Sequence, residues 1–124
     1  MEAFEMVNTL ISEEELRQEV ENFFDEECLG KDTKGYLYFV QLVFAIMEKP
    51  QYVYGKFVMN DLYAEVGKQS DVTCGAVRHH LNLALVPANE ERAKKGLPAY
   101  TLRKFINVCI NRFAKYVKRP ERTE

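Results

Sequence analysis

Residues 57–85 read FVMNDLYAEVGKQSDVTCGAVRHHLNLAL: two runs of apolar residues at helical spacing, divided by a short polar break. In the first run Phe57, Val58, Leu62, Tyr63 and Val66 recur as an inward stripe, which predicts a helix over about 56–69. In the second, Val77, Leu81, Ala84 and Leu85 do the same, and Pro87 is expected to end that helix. The break at 70–73 leaves room only for a tight turn. Gly67, late in the first run, is small enough for a close crossing. Four residues on, Asp71 is one of the few side chains that tolerate a left-handed backbone. Six further on, Val77 plugs the second helix into the core, and Leu81 repeats the contact one turn later. These spacings define a helix-turn-helix over about 56–86.

With Val77 and Leu81 inward, Gly75, Ala76, Arg78, His79 and Asn82 face outward. In a major groove Arg78 pairs bidentately with guanine and Asn82 with adenine, while His79 has donors for a base or a phosphate. Lys68, Gln69 and Thr73 flank the turn, where backbone phosphates are held. His79 and His80 are adjacent, so they diverge and make a poor metal pair. His80 is expected to pack, half-buried.

The flanking sequence supplies a core for this motif. Ser12 and Glu15 form a capping box ahead of Leu16, Val20, Phe23 and Phe24, with Gly30 as the expected stop. A second helix is expected from Gly35 to Glu48, apolar on every side except at Gln41, as a buried central helix must be. Pro50 ends it. Residues 89–95 read as a short polar turn closed by Gly96 and Pro98. Thr101 caps a last helix with the stripe Leu102, Phe105, Ile106, Cys109, Phe113 and Val117. No strand pattern, repeat or linker interrupts the series. The fold class is therefore all-α, a five- or six-helix bundle in one domain over 1–124, with 1–11 and 118–124 as loose tails.

The chain of 124 residues is ordinary in composition, 47% hydrophobic and 29% charged, within the range of globular domains. Its net charge of −2 conceals a division. Residues 1–28 hold ten acids and one base, a net of −9, which leaves 16 bases and 9 acids, a net of +7, for the remainder. The basic part suits a polyanion; the acidic first helix does not. The most apolar run, 36–47, falls short of the roughly 20 residues that cross a bilayer. With no leader-like opening and three unpatterned cysteines (Cys28, Cys74, Cys109), a cytoplasmic location with reduced thiols is expected. No glycine-rich phosphate loop, nucleophile–base set or metal-ligand spacing is present. Neither catalysis nor a metal or other cofactor is expected.

Three stretches resemble the C-terminal effector domain of the sporulation-initiation response regulators, the stage zero sporulation protein A family. They are Lys34-Gly35-Tyr36-Leu37-Tyr38, then Leu62-Tyr63 with Val66-Gly67-Lys68 through to Val77, then Phe105-Ile106 with Val108. The likeness spans about 12–116. It implies a six-helix domain containing a helix-turn-helix that binds specific DNA and regulates transcription. Where the family carries Arg-Val-Glu-Arg on its recognition helix, this chain has Ala76-Val77-Arg78-His79. The packing valine is kept, but the family's DNA preference does not carry over. The family's phosphorylated receiver domain has no counterpart here, so phosphorelay control is not implied.

The expected function is a small regulator that binds double-stranded DNA, as a homodimer if it spans two half-sites about 10 bp apart. The alternative is a protein-binding inhibitor or adaptor of phage or mobile-element type, such as an anti-CRISPR protein. That protein would meet a basic partner through Glu13, Glu14 and Glu15. Neither reading involves a membrane.

Overall fold

A computed structural model describes residues 9–119. The loose ends expected at 1–8 and 120–124 lie outside the described residues. Among those described there are six α-helices and no strand, so the all-α expectation holds.

Helix α1, Glu13–Glu26, begins at Ser12, whose hydroxyl accepts the Glu15 amide and donates to the Glu15 carboxylate, as the capping box requires. Its stop is not Gly30. The left-handed position is taken by Cys28 (φ 60°), and the Leu29 amide closes back onto the Phe24 carbonyl at 3.1 Å. Gly30 instead donates its amide to the Ala84 carbonyl at 2.9 Å, tying the loop to another helix.

Helix α2, Lys34–Glu48, is capped by Thr33 and is the hub of the bundle. Phe39, Leu42, Val43, Phe44, Ala45 and Met47 are fully buried, and α2 packs on each of the other five helices. Gly35 permits its closest approach: a Cβ there would collide with the backbone carbonyl of His80. The aromatic centre lies where α1, α2 and the last helix meet. Phe39 and Tyr100 each stand edge-on to Phe105 at 5.1 Å, and Phe23 stacks on the same ring at 6.0 Å.

A single turn, α3 (Gln51–Tyr54), follows Pro50 and was not expected from the sequence. It seats Tyr52, whose hydroxyl donates to Glu65 at 2.7 Å. Helix α4, Met59–Ser70, starts three residues later than expected. Val58 is its N-cap residue and is 63% exposed rather than inward. Helix α5, Cys74–Lys94, does not end at Pro87 but runs on through it for seven further residues. The separate polar turn expected at 89–95 is the end of this helix. It closes at Gly96 (φ 71°), with the Leu97 amide on the Arg92 carbonyl at 2.9 Å.

Helix α6, Leu102–Phe113, is capped by Thr101 and buries Leu102, Phe105, Ile106, Cys109 and Phe113 as expected. Val117 is buried too, but beyond the helix and past a 3₁₀ turn (Ala114–Tyr116). It forms an antiparallel bridge with Thr9, and the Leu10 amide donates to Tyr116 at 2.8 Å. Residues 9–11, expected in the loose tail, are thus fastened to the other end of the domain. No helix among the described residues is long and apolar enough to cross a membrane.

Candidate nucleic-acid interface

The α4–α5 connection is built from backbone geometry more than from side chains. Asp71 takes the left-handed conformation (φ 55°, ψ 47°), and its amide and that of Val72 both close onto the Gly67 carbonyl. Gly67 is required at this point. A Cβ there would lie 2.5 Å from the Val72 carbonyl oxygen and 3.4 Å from Val77 Cγ2. The chain then turns into α5 at Thr73, whose hydroxyl oxygen accepts the Ala76 amide at 3.1 Å. Val77 and Leu81 are fully buried beneath α5, which fixes the rotation of the helix.

That rotation sends Gly75, Arg78, His79 and Asn82 to the exposed side, with Ala76 half-buried beside them. The Asn82 amide donates to the Arg78 carbonyl at 3.1 Å. This tether, which the sequence does not announce, holds Asn82 close to its own helix. His80 is half-buried, its ring edge-on to Tyr38 at 5.8 Å and to His79 at 5.4 Å.

The expected site residues separate into groups. Gly75 and Arg78 line a cleft of about 180 Å³ with Asn60, Tyr63 and Cys74. Lys68 and Gln69 line a different, wider depression with Glu48, Lys49 and Glu65, where Lys49 pairs with Glu65. Thr73 is exposed, but its hydroxyl is occupied as the cap. The two depressions share no residue, so Lys68 and Gln69 are not gathered with the Arg78 group.

Sequence reasoning missed Tyr63 as a site residue because its spacing marks it as core. It is 5% exposed and yet lines the Arg78 cleft. Burial raises its pKa, while Arg78 and Arg103 pull the other way; both guanidinium charges are therefore felt at its ring. Cys109 is fully buried, and burial pushes its thiol up. Cys28 and Cys74 are half-buried. Among the described residues no three His, Cys, Asp or Glu side chains converge as metal ligands.

The acidic residues of α1 are dispersed. Glu13 faces Arg17 at 3.9 Å, Glu15 is engaged by Ser12, and Glu26 faces Arg112 at 3.9 Å. Glu14 is exposed. No family model, curated protein or solved structure matches the chain.

Proposed function

We propose that the protein is a sequence-specific DNA-binding regulator that uses α4 and α5 as a helix-turn-helix. The observation that carries this reading is the uncovered outer side of the first half of α5. Arg78, His79 and Asn82 stand exposed on a helix whose opposite side is locked by Val77 and Leu81. A helix has to be free on one side and rigidly seated on the other to read base edges. A helix is about 10–12 Å across with its side chains, which matches a major groove about 12 Å wide, and α5 at about 31 Å is long enough for its first half to lie there. The motif likeness to the sporulation effector domains points the same way. A homodimer on two half-sites supplies the surface that a single helix lacks.

The test is a mobility-shift titration against the DNA upstream of the protein's own gene at two salt concentrations. Specific binding that falls steeply with salt is the expected result. If His79→Ala and Asn82→Ala leave sequence preference unchanged, α5 is not the reading helix. The other reading, capture of a basic protein by α1, draws on the exposed carboxylate of Glu14 in the first turn. It predicts no specific shift, and a partner complex that depends on Glu13, Glu14 and Glu15.

A further inference from the structure

We infer that the cleft at the junction of α4 and the head of α5 is an oxyanion site that takes a phosphate group, with Arg78, the Tyr63 hydroxyl and the first α5 amides as its donors. The cleft is lined by Asn60, Tyr63, Cys74, Gly75 and Arg78 and holds about 180 Å³, several times the roughly 30 Å³ that one water occupies in the liquid. Four features point to an anion.

Tyr63 is 95% withdrawn from solvent, at 5% exposure, and its hydroxyl has no hydrogen-bond partner among the described residues. It is nonetheless not among the sealed, unsatisfied polar atoms, a condition that among the described residues only the Tyr36 hydroxyl meets. The Tyr63 hydroxyl therefore opens onto the cleft that it lines. A hydroxyl without a protein partner that faces a cavity has a donor ready for a ligand.

Arg78 lines the same cleft, and no carboxylate lies within ion-pair distance of it among the described residues. Arg103 of α6 is likewise unpaired by that measure and acts electrostatically on Tyr63. The charge at the cleft is positive.

The amides of Cys74 and Gly75 are the first two of α5. Thr73 satisfies the Ala76 amide, but a helix leaves its earliest amides without internal partners, and nothing among the described residues takes these two. A Cβ on Gly75 would meet nothing nearer than Thr73 Oγ1 at 3.9 Å, so no side chain crowds this residue where it lines the cleft. The positive end of the 21-residue α5 dipole lies here as well.

The remaining walls do not oppose an anion. The Cys74 thiol lies 3.9 Å from the Asn60 carbonyl. Asp61, the acid in the first turn of α4, acts on Tyr52, on the α3 side.

The phosphate has two possible sources, a nucleic-acid backbone and a free phosphorylated molecule. Taken with the DNA reading, on which this part rests, Arg78 clamps the backbone at the groove edge and leaves base reading to His79 and Asn82.

The experiment uses the full chain labelled with 15N, titrated first with inorganic phosphate against chloride at matched ionic strength, then with a random-sequence duplex. Phosphate is expected to shift the Cys74 and Gly75 amide resonances saturably, and chloride to leave them in place. Tyr63→Phe removes only a hydroxyl that no described residue uses, so it folds normally and is expected to weaken phosphate binding several-fold. Arg78→Ala is expected to abolish it. With duplex, Arg78→Ala should lower the slope of log K against log salt by about 0.9 and weaken all sequences alike. Phosphate shifts without duplex binding support the oxyanion site and assign it to a free phosphorylated ligand, and the DNA reading then fails alone. Duplex binding in which Arg78→Ala changes sequence preference but not the salt slope overturns the site and leaves the DNA reading standing. Amides unmoved by phosphate, with Tyr63→Phe indistinguishable from the parent, overturn it whatever the duplex does.

Discussion

Gly67 and Cys28 occupy comparable positions near helix ends but make opposite demands on their side chains. At Gly67 any Cβ runs into the Val72 carbonyl at 2.5 Å, an atom fixed by the turn. Gly67→Ala is therefore expected to cost about 1–3 kcal/mol, the range for overpacking a site that cannot relax. Urea unfolding monitored by circular dichroism measures it, and an unchanged midpoint would mean the turn can yield. Cys28 is a side chain in a left-handed conformation that L-residues avoid by about 1–2 kcal/mol. Cys28→Gly relieves that strain and pays about 0.5–1 kcal/mol in chain entropy, so a net gain of about 0.5–1 kcal/mol is expected in the same assay. The turn was legible in the sequence because Gly67, Asp71 and Val77 stand at spacings that only a tight crossing explains. The end of α1 was not. Cysteine carries no turn signal, and the nearby Gly30 drew the assignment, although its amide is used to bind Ala84. Tyr63 was hidden for a related reason: its periodicity announces burial and is silent on what its hydroxyl meets.

At the scale of elements, Pro87 shows where local preference is overruled. A proline inside a helix forfeits one hydrogen bond and crowds the preceding turn, which is why the sequence alone places a helix end there. In the structure the helix on both sides of it is held by packing. Ala84 and Leu85 before it, and Ala88 after it, are buried; the Asn89 side chain bonds both the amide and the carbonyl of Tyr100. Pro87→Ala restores the missing donor without disturbing these contacts and is expected to raise stability by about 1–3 kcal/mol, approaching the full proline penalty of a helix interior. Thermal unfolding reads the gain. A loss instead would show that the proline's restriction of the unfolded chain outweighs the recovered hydrogen bond. Helix α2 lies at the other extreme. A run with a single polar residue has to be buried on most sides, so its place at the centre followed from the sequence, although Leu37 in its first turn stays 53% exposed. The single-turn α3 was illegible because four residues carry too little periodicity to separate a helical turn from a loop.

For the molecule as a whole, buried phenols and divided charge set the response to solvent. Tyr36, Tyr52, Tyr63 and Tyr100 all have pKa values raised above 10, chiefly by burial. A phenol that resists ionisation only when folded contributes stability that is complete below its unfolded pKa of about 10 and is lost as pH rises through the folded value. Unfolding should therefore set in above pH ~10, with phenolate absorbance rising together with the loss of helical signal. Separate transitions would show that these rings ionise without unfolding.

The division of charge bears on function. The −9 of residues 1–28 is covalently joined to the +7 of the remainder, and on the DNA reading α1 repels the duplex that α5 attracts. Exposed charges act over about 10 Å at 0.1 M salt, so this repulsion is felt at low ionic strength and screened at high. The triple variant Glu13→Gln, Glu14→Gln, Glu15→Gln keeps side-chain length and hydrogen-bonding oxygens, including the one that Ser12 engages. It also gives up favourable charge at the α1 N-terminus, worth about 0.3–1 kcal/mol per residue. On the DNA reading it is expected to bind duplex several-fold more tightly at low salt, with the difference closing as salt rises and sequence preference unchanged. On the protein-partner reading it gains nothing with duplex and loses its complex with a basic partner. Fluorescence anisotropy at two salt concentrations separates these outcomes without knowledge of the operator, because repulsion by α1 is independent of sequence.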